Sequence, residues 1–174
     1  MAKQSAFGGK SEYQAFAREG QRIGNERDKK QFKIQIKLLA GQDAIESQRA
    51  ASVLHHVSNI ALDMFLDYID VMIHVLKNPI HDSGPRLAMR VLKLLDIPEE
   101  FAGISIDLAF NYLNNITVPV AIKVYSMVVI SNQAVIYPEL MGELEASIAS
   151  QYEWQSPAFK ASVRKINKKL HLNF

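Results

Sequence analysis

The sequence predicts an all-α protein, a right-handed α-α superhelix of about three and a half two-helix repeats of about 37 residues each, and three observations carry that prediction. From Asp43 onward, apolar residues recur at three- and four-residue spacing, the signature of helices with one buried stripe. The segments are separated by short breaks carrying helix-start residues. A basic residue then returns at a fixed interval, Arg49, Arg86, Lys123 and Lys160, each 37 residues after the last.

Taken in order, residues 1–26 hold four of the eight glycines and few large apolar side chains. Burial of so little apolar surface does not offset ordering entropy, so this stretch is expected to be a flexible basic arm ahead of a single domain over 27–174. The segment Phe32 to Leu38 alternates like a strand, yet Phe32, Ile36 and Leu39 also make a helical stripe. Helix is the preferred reading because everything downstream is helical. Seven further helices are expected, near 43–57, 60–77, 84–95, 98–114, 118–131, 138–152 and 157–170. Asp43, Ser83, Thr117 and Ser156 can each offer a side-chain oxygen to the orphan amides of a helix start. Pro85, Pro98, Pro119, Pro138 and Pro157 fall in first turns, where a missing N–H costs little. Short loops between such helices make consecutive ones antiparallel.

The second helices share the period. Residues 70–78 superpose on 107–115 at the same offset, with Asp, Leu and Asn recurring at matching positions. Stacked supersecondary units repeat in this way when each completes the core of its neighbour. Gln48-Arg49-Ala50-Ala51-Ser52-Val53-Leu54, an Arg followed by small and then aliphatic residues, resembles the first helix of a HEAT unit in the HEAT/armadillo class of α-solenoid repeats. Residues 120–129 and 159–166 repeat the pattern more loosely, so the resemblance covers about residues 43–170. It is closest in kind to small stand-alone HEAT-like proteins. What it implies is a fold, because these repeats serve unrelated tasks.

Charge and composition narrow the function. With no cysteine the chain has no disulfide and no thiolate metal site, and no early apolar run offers a signal peptide. The expectation is a soluble, cytoplasmic protein without a membrane span. The net charge of +2 conceals a partition: residues 1–40 carry nine basic and four acidic side chains, 41–157 carry six and fourteen, and 158–174 carry five and none. The body is acidic and both ends are basic. There is no glycine-rich phosphate loop, nucleophile elbow or thiol, and nothing matches the catalytic loop of the adenylosuccinate lyase group, so catalysis of that kind is rejected. No cofactor or metal is implied.

Among candidate residues, Asp63, Asp67, Asp70 and His74 fall at i, i+4, i+7 and i+11, along one face of a regular α-helix. They are either solvated surface or a partner-binding stripe. Continued over the other second helices, the same acidic face takes in Glu99, Glu100, Asp107 and Asn111, then Glu139, Glu143 and Glu145. A negative face of this kind selects a basic peptide or protein segment and repels a phosphate backbone. The four residues of the 37-residue series read as stems packed on the next repeat rather than as a phosphate ladder. His55 and His56 diverge by about 100° on a helix, which argues against a shared ion. Tyr152 and Trp154 are expected to cap the final repeat. The last helix sets Lys160, Arg164 and Lys168 on one track with Lys165 and Lys169 beside it, an alternative anion-binding surface.

The leading functional reading is therefore a non-enzymatic protein-interaction or scaffold module using the exposed face of its second helices. The alternative is a nucleic-acid-binding protein, since some DNA glycosylases for alkylated purines have HEAT-like folds. Those need a basic groove with aromatic side chains around an acidic group, which the acidic body does not supply. Partner identity and oligomeric state are not encoded in any motif.

Overall fold

Side-chain oxygens decide where several of these helices begin. Asp43 accepts hydrogen bonds from the Ile45 and Glu46 amides, at 2.8 and 2.9 Å, and starts a helix as expected. Ser156 accepts from the Phe159 amide at 3.3 Å. Asp28 caps in the same way, accepting from the Gln31 amide at 3.0 Å. Thr117 does not cap; its amide and hydroxyl both donate to Asn115 Oδ1, and Pro119 holds the N-cap position of the next helix.

The computed structural model describes residues 9–170. The expected arm before residue 9, and the last residues from 171, lie outside the described residues. The helices are α1 (Lys10–Glu26), α2 (Lys29–Leu39), α3 (Ala44–Val57), a 3₁₀ segment (Leu62–Tyr68), α4 (Ile69–Lys77), α5 (Ser83–Leu92), α6 (Glu99–Asn114), α7 (Val120–Gln133), α8 (Leu140–Ala149) and α9 (Pro157–Leu170). Among the described residues there is no strand, and Phe32 to Leu38 is helical. The sequence reading drew its one boundary at residue 26, whereas the chain divides into two compact units, 1–91 and 92–174.

In the first unit α1 and α2 both pack on α3. Where the sequence suggested an arm over 1–26, residues 10–26 are helical, with Gly20, Ile23 and Gly24 buried. The signal was hidden because α1 seats itself through small residues rather than large ones. A Cβ at Gly20 would lie 2.4 Å from the Val53 carbonyl oxygen and 2.6 Å from His56 Cβ, so the two helices touch backbone to backbone. Phe32 of α2 meets Phe65 edge to face, with centroids 4.9 Å apart, and both rings are buried. Each such side chain contributes about 1.5–3 kcal/mol relative to exposure.

The helix expected over 60–77 is two pieces. Tyr68, at φ −133° and ψ 22°, separates the 3₁₀ segment from α4. The reason is in the spacing: Leu62, Phe65 and Tyr68 stand three apart, and at three residues per turn they line one inward edge.

In the second unit α6 packs on α7, α7 on both α8 and α9, and α6 on α8. Phe159, Val163 and Ile166 are the inward face of α9, spaced i, i+4 and i+7. Gln151, just past α8, fastens the unit by donating to the carbonyls of Leu113 at 3.2 Å and Ser147 at 2.9 Å. No helix of the described residues is long and apolar enough to cross a membrane.

Candidate functional site

The acidic stripe begins on the 3₁₀ segment, and that changes its geometry. Four residues at three per turn rotate by roughly 120° beyond a full turn, against about 40° in an α-helix. The straight α-helical line expected for the i to i+11 series is therefore broken between Asp63 and Asp67, although both side chains line one groove. Asp70 and His74, inside α4, keep the i, i+4 relation. All four side chains are exposed. His74 Nδ1 lies 3.4 Å from Asn78 Nδ2.

Asp63 and Asp67 line a groove of about 230 Å³ between the start of α2 and the 3₁₀ segment. Arg27, Lys29 and Phe32 line one side, and Asp63, Met64, Asp67 and Tyr68 the other. Tyr68 rests edge-on against Phe32, with centroids 5.5 Å apart. Arg27 forms an ion pair with Asp63. It also carries a left-handed backbone, φ 52°, at the end of α1, a conformation costing about 1 kcal/mol for a residue with a side chain. Asp67 and Asp70 have no ion-pair partner among the described residues.

The arginines of this unit are largely committed elsewhere. Arg22 is held by Glu19, Glu26 and Asp28 at 2.9, 2.8 and 3.1 Å, which raises its guanidinium pKa further. The amide of Gln31, ahead of Arg22, holds the Asp28 carboxyl below its ordinary value. Arg49 pairs with Glu12 at 2.9 Å. Arg90 bonds Ser58 Oγ at 3.3 Å and also Asn59.

The acidic candidates of the second unit are exposed as well: Asp107 and Asn111 one turn apart on α6, Glu139 and Glu143 one turn apart at the start of α8. Glu99 and Glu100 occupy the first turn of α6, where the helix dipole favours carboxylates. Glu145 is half-buried.

The 37-residue basic series has no common fate. Arg49 is ion-paired, Arg86 is exposed, Lys123 is buried with Nζ donating to Gln151 Oε1 at 2.8 Å, and Lys160 donates to the Glu153 carbonyl at 3.0 Å. Burial pushes the Lys123 ammonium below its ordinary pKa. Sequence reasoning missed this buried amine; its one signal is a lysine placed between Ile122 and Val124 in an apolar run.

On α9, Lys160 also lies 5.1 Å from the centre of the Tyr152 ring, and Lys169 donates to Asn132 Oδ1 at 2.6 Å. Arg164, Lys165 and Lys168 remain exposed. Trp154, expected as part of a cap, is 81% exposed, because the α8–α9 turn directs it away from the core that Phe159 fills. His55 and His56 are both half-buried, at 86° to each other. Burial lowers the pKa of each, and for His55 the Arg90, His56 and Arg86 charges add to it. Among the described residues no three His, Asp or Glu side chains converge to hold a metal ion.

A family model, HEAT repeat domain, matches residues 12–170, including α1. No curated protein and no solved structure matches the chain.

Proposed function

The chain belongs to the HEAT repeat domain family, a family whose members are in general protein-interaction scaffolds, and from that premise we propose that it is a non-enzymatic interaction module with an acidic docking face for a basic peptide or protein segment. The observation that carries this reading is Asp67, exposed and unpaired on the groove, with Asp70, also exposed and unpaired, three residues on. Carboxylates left free while neighbouring arginines are engaged present an unsatisfied negative field. Asp63 and His74 extend the face in the first unit, and Asp107, Asn111, Glu139 and Glu143 are its counterparts in the second. We further read the helix pairs as turns of a right-handed α-α superhelix in which second helices form the docking side. A cytoplasmic setting suits a chain without cysteine.

Specificity here is electrostatic: the face attracts lysine- and arginine-rich segments and repels nucleic acid. Nucleic-acid binding stays as a second reading only through Arg164, Lys165 and Lys168, the exposed cations of α9.

The test is fluorescence anisotropy with a labelled lysine/arginine peptide against the parent and against Asp63→Asn/Asp67→Asn/Asp70→Asn. Binding should fall about tenfold, equivalent to about 1.4 kcal/mol, with helix content unchanged by circular dichroism. Equal binding by parent and variant at low salt overturns the reading. Binding of a duplex oligonucleotide with a steep salt slope, lost on substitution in α9, would favour the second reading instead.

A further inference from the structure

The groove of the first unit has walls of opposite charge. On the α2 side Lys29 lines it, and Lys30, Lys33 and Lys37 of the same helix are exposed; none of the four forms an ion pair among the described residues. The placement of Lys29 and Lys30 opposes the local physics of the helix. Lys29 and Lys30 sit in its first turn, where the dipole disfavours cations, and the one carboxylate at that end, the N-cap Asp28, is already engaged by the Gln31 amide and Arg22. Lys29, Lys33 and Lys37 follow at i, i+4 and i+8, so each repels the next. On the opposite wall Asp67 is likewise exposed and unpaired, as is Asp70 three residues further along the chain. Unpaired cations along α2 facing an unpaired carboxylate across the groove point to partners from outside the chain.

A surface whose two halves are oppositely charged is complementary to itself. A two-fold axis running along the groove sets the lysine wall of one copy against the aspartate wall of the other, twice over. An axis running across the groove would set like on like. We propose that a second copy of this chain is the cationic partner of the groove, docked through an isologous two-fold contact that pairs Lys29 and Lys33 with Asp67 and Asp70 of the other copy. The proposal rests on the reading above that the aspartate face receives a basic segment, and it names that segment as α2. Exposed pairs are individually weak and are screened by salt, so the dimer dissociates readily and forms best at low ionic strength.

The test is sedimentation velocity of the full chain over a concentration series at low salt and at about 0.5 M salt, where the screening length falls below the physiological ~8 Å. The parent should dimerise at low salt and dissociate at high salt. Lys29→Glu/Lys33→Glu alone and Asp67→Lys/Asp70→Lys alone should each associate about tenfold more weakly or not at all, since each then presents two walls of one sign. An equimolar mixture of the two variants should form a heterodimer, and the quadruple variant, with its walls exchanged, should recover the homodimer. These two results need the substituted proteins to be folded, so neither rescue arises from unfolding. A parent that stays monomeric at low salt and high concentration overturns the proposal, as does a mixture that fails to associate. If the parent stays monomeric yet binds the labelled basic peptide and loses affinity with the Asp→Asn variant, the docking face stands while the self-pairing fails. Should the parent dimerise with the charge-swap pattern above but bind no peptide, α2 is the partner and foreign basic segments are not.

Discussion

Arg49 in α3 and Lys123 in α7 hold the same place in the 37-residue series, two periods apart, and their surroundings are opposite. The Arg49 side chain is 51% exposed and meets a carboxylate, Glu12, supplied by α1. Lys123 is 3% exposed and meets a neutral amide, Gln151, supplied by the turn after α8. A wet ion pair can be lost at small cost. A cation enclosed with one neutral acceptor depends on that acceptor completely. Register in a repeat thus fixes where a basic stem leaves its helix, and the neighbouring element decides what its charge encounters.

The largest effect expected from breaking this contrast is at Gln151. Gln151→Ala strips Lys123 of its acceptor and leaves the Leu113 and Ser147 carbonyls without its donors. Urea unfolding at neutral pH should show a loss of about 3 kcal/mol. A loss near zero would mean that the lysine reaches water easily and that the contrast with Arg49 is only one of degree.

Lys123→Met comes next and should act with the opposite sign. It replaces a buried ammonium with an apolar side chain of similar length, and Gln151 Oε1 keeps the Gln155 Nε2 donor, 2.8 Å away. The gain at neutral pH should be about 1 kcal/mol. The pH dependence follows from the direction of the shift. Burial favours the neutral amine in the fold, so its contribution is complete above the ordinary lysine pKa of about 10.5 and is lost as pH falls toward the lowered folded value. The advantage of Lys123→Met should therefore shrink as unfolding is measured from pH 7 toward about 10.5. A gap that is constant over that range would sink the assignment.

The smallest effect is at Arg49. Arg49→Ala should cost about 0.5 kcal/mol at low salt and nearly nothing in high salt, read as a shift in the urea midpoint at unchanged slope. A larger, salt-independent loss would show that the guanidinium stem, packed on α1, matters more than its charge.

How much of this was legible beforehand differs element by element. From Asp43 onward the helix positions were readable because apolar spacing, proline and cap residues agree, as at Asp43 and Ser156. The helix α1 was not, because its burial runs through Gly20 and Gly24, which look like signs of disorder until another backbone is set against them. The break at Tyr68 was hidden for a related reason: the three-residue spacing of Leu62, Phe65 and Tyr68 also fits an α-helical stripe. Of the candidate site, the acidic residues and their exposure were readable, but the groove was not, since it forms between α2 and a segment some thirty residues further on.

The sequence by itself determined the helical class, the basic residue recurring every 37 positions, the acidic middle and the basic ends, because periodicity and charge are local properties that any fold must respect. The tertiary structure alone decided that Lys123 is buried while Arg49 is wet, that Arg27 is paired with Asp63, and that Lys29 stands across a groove from Asp67. Desolvation and ion pairing depend on which distant atoms arrive, and that is set by packing between helices and not by the pattern within any one of them.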